Sequence, residues 1–290
     1  MTHLAQQLVN GLLLGSLYAL VALGLTMIYG VLRVLHVAHA ATYVVGAYVG
    51  LAVFLWSGRY LAAVLAAGVL MGLLGALTER VVYRPTFRSA REVALVASIG
   101  LFTVLTETVR LVAGPEPRPF LVGLPGGFAV GDLWVSAFDV TFVAVSGGAL
   151  LALAVFLTRT RLGLALRAVA QSRDVAAMLG VDVDRCVQAV FFVGSFLAGV
   201  AGALVGPFYS YIDPNMGNTF AYKALAVIVI GGFGSVTGTL AGGLALGVAE
   251  VLLVVYTRIP LSQEALAMLA LVVLLLVRPR GLPAWGAVPP

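Results

Sequence analysis

TRLGLALRAVAQSRDVAAMLGVDVDR (Thr160–Arg185) runs directly into CVQAVFFVGSFLAGVAGAL (Cys186–Leu204), and the change of character at Cys186 decides the fold. The first stretch mixes charged and apolar residues at helical spacing and contains no proline. Leu164, Ala168, Val175 and Leu179 can share one helix face, and Arg167, Gln171, Asp174 and Met178 another. Gly180 stands where a left-handed residue would end such a helix. The second stretch carries no charge at all. A helix apolar on every side is one whose solvent is lipid. One segment therefore lies along a membrane surface, and the next enters the membrane.

The rest of the chain agrees. Of 290 residues, 61% are apolar and only 10% charged, with a mean hydropathy of +1.08. A soluble domain carries about 25% charged residues, so no soluble fold of this length hides so much apolar surface. In lipid every backbone group must bond internally, which leaves helices or a closed barrel. Runs such as Val135–Phe156 and Ala265–Val277 are too long and too uniformly apolar for barrel strands. The expected fold is all-α, a polytopic transmembrane helical bundle in a single domain over 1–290. The spans predicted are 8–31, 35–56, 60–81, 93–113, 135–157, 187–211, 221–233, 238–257 and 262–277, with a polar-rich loop at 158–186. The count is eight or nine. Residues 221–257 read either as two crossings that turn at Gly231–Ser235 or as a re-entrant helix plus one crossing. The run after Asn10 reads as a first span rather than a cleaved signal.

Charge placement gives the orientation. The net charge of +5 is scattered between apolar runs, which argues against a nucleic-acid partner. With the N-terminus outside and nine crossings, Arg59, Arg110, Arg118, Lys223 and Arg258 lie outside and the other twelve basic residues inside. That is the bias of the positive-inside rule. Cys186 is the only cysteine, so no disulfide or cysteine metal cluster forms within the chain. Gly114–Pro119 and Asp213–Asn218 read as outer turns. Glycines four apart, such as Gly11/Gly15, Gly46/Gly50 and Gly243/Gly247, read first as close helix packing.

Charged and polar residues inside apolar runs are the functional candidates, because burying them is costly. Glu107 and Arg110, three apart, suit an ion pair near the outer end of their span. Glu250 has no evident neighbour in sequence, and Lys223 reads as snorkelling at the outer boundary or as touching a solute carboxylate. His39, Thr42 and Tyr43 offer polar groups for a pathway. His36 and His39 lack a visible third metal ligand, so no metal site is assigned. Gly231, Gly232, Gly234 and Ser235 permit unwound backbone, for packing first and gating second. The surface helix of Thr160–Arg185 reads equally as an anchor on lipid headgroups and as a docking element for a soluble partner.

Several motifs in order resemble the branched-chain amino-acid permeases of ABC importers. They are Gly163–Leu204, ERVVYRP at Glu79–Pro85, ASIGL at Ala97–Leu101, GGFGSVTGTLAGGLALGVAE at Gly231–Glu250 and RPRGL at Arg278–Leu282. The likeness runs from about residue 8 to residue 283. It implies a permease subunit of a multi-pass cell (inner) membrane importer for branched-chain or related amino acids. It implies a second permease chain, two cytoplasmic ATPase subunits and a soluble substrate-binding protein as partners. By the same likeness the loop helix is the coupling helix that docks on the ATPase, through Arg161, Gly163, Arg167, Ala168, Gln171, Arg173, Asp174, Ala177, Leu179 and Gly180. The family usually reads Asn-Phe-Ala-His-Gly after the first span, where this chain has His36-Val37-Ala38-His39-Ala40. His39 matches, but the asparagine and glycine positions hold His36 and Ala40, which bears on the solute: an amide, urea or sugar is the alternative cargo.

The chain expects no cofactor of its own. A phosphate-binding loop needs G-x-x-x-x-G-K-[ST], and the single lysine, Lys223, lies between Tyr222 and Ala224. ATP and Mg are therefore expected on partner subunits, and the chain is not itself an enzyme. A stand-alone secondary transporter would call for buried acids and an inverted repeat. An intramembrane enzyme would call for a catalytic constellation. The chain has little of either.

Overall fold

The computed structural model describes residues 2–87, 90–123, 126–130 and 133–256, with the isolated positions 265, 268, 269 and 272. The expected span 262–277, apart from those positions, lies outside the described residues, as do Arg258 and the Arg278–Leu282 motif. The protein is a helical bundle. Helices α1 (Thr2–Leu32), α2 (Ala38–Ser57) and α3 (Tyr60–Thr78) come first, and α3 continues through a π-helical turn, Glu79–Tyr83, into the short α4 (Arg84–Thr86). Helix α5 (Arg91–Ala113) follows. Strand β1 (Arg118–Pro119) and the hairpin of β2 (Gly127–Val130) with β3 (Leu133–Ser136) then lead to α6 (Ala137–Arg159). The loop helices are α7 (Arg161–Gln171) and α8 (Arg173–Met178). After them come α9 (Val183–Tyr209), β4 (Tyr211–Ile212), α10 (Met216–Gly231) and α11 (Val236–Tyr256). Strands β1 and β4 pair antiparallel and tie the end of α5 to the end of α9.

Seven described helices are long and apolar enough to span a membrane, and α10 is a shorter eighth segment. Sixteen residues at 1.5 Å each make α10 about 24 Å long, less than the roughly 30 Å of hydrocarbon. The expected start of the fifth span at 135 moves to Ala137, because Ser136 caps the helix: its hydroxyl accepts from the Asp139 N–H, and the Asp139 carboxylate accepts from the Ser136 N–H.

The 221–257 stretch is two helices joined at glycines. Gly232 and Gly234 adopt φ of 87° and 79°, a left-handed backbone that side chains other than glycine rarely tolerate. The turn lies against the end of α1, where the Tyr29 and Phe233 rings are 5.0 Å apart. Helix α10 thus runs from the end of α9 to the far end of α1. Helix α11 then returns antiparallel along α1, with Thr239 beside Thr26, Gly243 beside Ala19 and Gly247 beside Gly15. A Cβ added to Gly15 would stand 2.7 Å from Leu244 Cα, so the two backbones meet without side chains between them.

Helix α1 is the centre of the bundle, packed by α11, α9 and α10. Helix α9 also carries α2 and α3, while α5 and α6 lie at the outside. Arg33, Arg84, Arg173 and Arg185 gather at one end, as the charge bias requires, and this end is called inner here. Arg110 and Arg118 are at the other.

Candidate functional site

Two of the polar residues singled out from sequence meet inside the bundle. Lys223, at the eighth position of α10, donates to Glu250 Oε1 of α11 at 2.8 Å and to the Tyr18 hydroxyl of α1 at 2.6 Å. The Tyr18 hydroxyl in turn donates to Glu250 Oε2 at 2.9 Å. The three side chains close a ring that joins three helices. The Lys223 and Glu250 side chains are 3% and 1% exposed. Lys223 is therefore no snorkelling residue at the outer boundary, and Glu250 has a neighbour after all. Each charge is tolerable at this burial because the other neutralises it. Tyr18 was invisible in the sequence, being one aromatic in an apolar run.

Around the ring the polar groups continue. Phe220 packs on Tyr18 and on Tyr43 of α2, with centroids 5.9 and 4.4 Å apart. Tyr43 is buried, and its hydroxyl has no hydrogen-bond partner among the described residues. Thr42 donates to the Ala38 carbonyl one turn back. The connection after α1 turns back into the bundle, since Arg33 takes φ of 56° and His36 is buried. His36 Nδ1 shares a hydrogen with the Tyr83 hydroxyl at 2.5 Å, and His39 Nε2 bonds the Val21 carbonyl at 3.1 Å. No third His, Cys, Asp or Glu among the described residues completes a metal-ligand set with them. Thr26 and Thr239 share a hydroxyl–hydroxyl bond of 2.9 Å between α1 and α11. Gly231, Gly232, Gly234 and Ser235 form the turn between α10 and α11. There Gly231 touches the Gly238 backbone, and the Ser235 hydroxyl accepts from Gly238 N–H.

A cavity lies towards each end of this polar core. The outer one, about 290 Å³, is lined by Tyr209, Tyr211, Asp213, Asn215, Thr219 and Lys223, so it reaches the residue that carries the ring's positive charge. The inner one, about 510 Å³, is lined by Thr26 and Gly30 of α1, by Leu166 and Arg167 of α7, and by the Gly234–Ser235 turn. The inner cavity thus brings the glycine turn and the loop helix to one place.

The loop helix itself is two helices. The Thr160 hydroxyl accepts from Gly163 N–H to start α7, and the Ser172 hydroxyl accepts from Val175 N–H to start α8. The break at Ser172 changes the helical phase. Helix α7 buries Gly163, Leu166 and Val169, while Leu164, expected on the apolar face, is 62% exposed. Ala168 is half-buried, and Arg161, Arg167 and Gln171 are exposed. Gly180 takes φ of 81° and ends α8, with its N–H donating to Ala177 O at 2.9 Å. Two arginines fasten the pair to α1: Arg173 Nε donates to Val31 O at 2.9 Å, and Arg33 donates to Ala170 O at 3.1 Å. Burial lowers the Arg173 pKa from its ordinary value, and Asp174 opposes the shift. Arg173 also lies 5.7 Å above the Phe87 ring. Fastened this way, α8 presents Asp174, Ala177 and the apolar Val175, Met178 and Leu179 outward; Met178 is 86% exposed.

Comparison with known proteins matches residues 7–278 to the family model described as branched-chain amino acid transport system / permease component. The chain is similar to the high-affinity branched-chain amino acid transport system permease protein LivH of Salmonella typhimurium. Identity is 36%, over 97% of this chain and 95% of that protein. It is similar to the corresponding permease BraD of Pseudomonas aeruginosa, at 35% identity over 86% and 85% of the two chains. Its likeness to the permease LivM of Salmonella typhimurium is weaker, at 26% identity over 92% of this chain and 67% of that one. A match over most of the length, carried on a bundle of membrane-spanning helices, places this chain in the family of branched-chain amino acid transport system permease components.

Proposed function

We propose that the chain is the membrane-spanning permease subunit of an ATP-driven importer in a cell (inner) membrane, translocating branched-chain or related amino acids. The observation that carries the reading is the full-length family match together with a fastened, outward-facing α7–α8 platform at the arginine-rich end. A pair of short helices with Val175, Met178 and Leu179 exposed suits docking on a soluble subunit better than crossing lipid. The positive-inside rule puts that platform in the cytoplasm, where an ATPase subunit works. The likeness to both LivH and LivM supports pairing with a second, homologous permease chain. A soluble binding protein delivers the solute at the opposite face. In this reading the chain hydrolyses nothing itself. ATP-driven closure of two partner ATPases moves α7–α8, and the movement passes through Arg33 and Arg173 to α1.

The test is co-purification and uptake. The chain is co-expressed with the ATPase, second permease and binding protein encoded beside it, and the complex is reconstituted in liposomes. Capture of the ATPase and ATP-dependent uptake of leucine, isoleucine or valine are expected. Uptake of another solute keeps the importer and points to His36–Ala40 as the source of altered cargo. Absence of any ATPase partner ends the reading. Within the complex, Asp174→Lys inverts a charge exposed on the platform. ATPase activity is expected to persist while uptake falls about tenfold or more, as a lost charge-assisted contact allows. Unchanged uptake removes α8 from the coupling surface.

A further inference from the structure

The outer cavity has a composition that neither packing nor the coupling platform explains. Lys223 and Asp213 both line it, as do the exposed Tyr211 and Asn215. Its volume, about 290 Å³, lies at the low end of small-molecule sites and fits a small solute. An ammonium has three N–H donors, and Tyr18 and Glu250 accept two of them. Of 17 basic residues, 16 are arginine, and the one lysine stands here. An arginine fork would tend to engage Glu250 with two parallel bonds, whereas a lysine is a compact point charge that several partners share.

We propose that this cavity receives the carboxylate of the transported solute on the Lys223 ammonium, and that Asp213 faces the solute's own ammonium. The proposal rests on the importer reading above and adds to it two binding residues, Lys223 and Asp213, one for each charge of the amino acid. Charge arithmetic weighs against a simple anion. Lys223 and Glu250 cancel and Asp213 leaves one negative charge at the wall, so a simple anion would add a second at low dielectric. A sugar would leave the ammonium without a new charged partner. A zwitterion supplies a carboxylate for Lys223 and adds no net charge. Because Lys223 is also bonded to α1 and α11, the carboxylate enters a ring that spans three helices, and occupation of the cavity is felt by each of them.

The experiment uses the complete reconstituted complex, with solute delivered by its binding protein. Replacing both charges, Lys223→Met with Glu250→Gln, leaves no buried charge unpaired while removing the ammonium. Uptake is expected to fall about tenfold to a hundredfold although the complex assembles. Uptake at the wild-type level in the double variant overturns the proposal, because it shows that only charge balance matters at the ring. A second measurement leaves the ring untouched. Thr219→Cys, in a Cys186→Ser background, is labelled from outside with an impermeant maleimide. The amino acid is expected to slow labelling severalfold, and the amine that lacks its carboxylate is not. Equal slowing by both, or by neither, overturns the proposal. If the unaltered complex shows no ATP-driven uptake, the importer reading falls, and this one falls with it.

Discussion

Helices α1 and α6 are both long apolar spans, yet 89% of the most apolar stretch of α1 is buried inside the chain and only 17% of that of α6. What separates them is what their small and polar residues meet. Gly11, Gly15 and Gly24 of α1 each face the backbone of a neighbouring helix, so α1 can be surrounded at close range. Gly147 and Gly148 of α6 face open space. Tyr18 and Thr26 of α1 bond to side chains of α10 and α11, and Ser16 reaches Ser146 on α6 itself. The exposed face of α6 is Val140, Val143, Leu151 and Val155. Hydropathy therefore places both helices in lipid without saying which is central. In a solvent as apolar as leucine, close backbone approach and polar pairing select the centre.

The sharpest way to break that contrast is to unbalance the central ring. Lys223→Met alone leaves Glu250 buried without its counter-charge, a change that costs about 3–5 kcal/mol at such sites. The detergent-solubilised variant is expected to lose most of its folded yield. A normal melting curve would mean that the ring is wet or not central. Next comes the glycine comparison. Gly15→Leu forces α1 and α11 apart and is expected to destabilise by about 1–3 kcal/mol or more. Gly147→Leu is expected to leave the isolated chain unchanged. Thermal melting of both variants decides it, and equal damage would show that α6 is covered within this chain. The smallest effect belongs to the rim. Glu107 and Arg110 form a 2.5 Å pair with half-exposed side chains, so Glu107→Gln is expected to cost less than about 1 kcal/mol. A larger loss would move that end of α5 into the core.

What could be read from the sequence was what depends on neighbours along the chain. The helical class and most span limits follow from run length. The Glu107–Arg110 pair follows from i, i+3 spacing, and the left-handed Gly180 follows from its place after an alternating helix. The Ser136–Asp139 cap was also there to be read, as a serine three residues before an aspartate, and the start of α6 was missed without it. The break at Ser172 belongs to the same class: a capping residue inside a helical pattern shifts the face of everything after it, so Leu164 and Ala168 of α7 share no continuous face with Val175 and Leu179 of α8. The central ring was of another kind. Lys223 and Glu250 are 27 residues apart, and Tyr18 is 205 from Lys223. No periodicity links them, because three helices on separate crossings must come together before their side chains touch.

The shortness of α10 has an electrical consequence. From Met216 to Lys223 is eight residues, about 12 Å of helix, and the outer cavity extends along that length. Water filling such a recess would carry the outside potential inward with it, and the voltage across the membrane would then drop over the thinner slab beneath Lys223. Moving one elementary charge through 100 mV involves about 2.3 kcal/mol. A solute with equal and opposite charges crosses that slab without electrical work, whatever its steepness. For such a solute the membrane voltage neither drives nor opposes the net transfer.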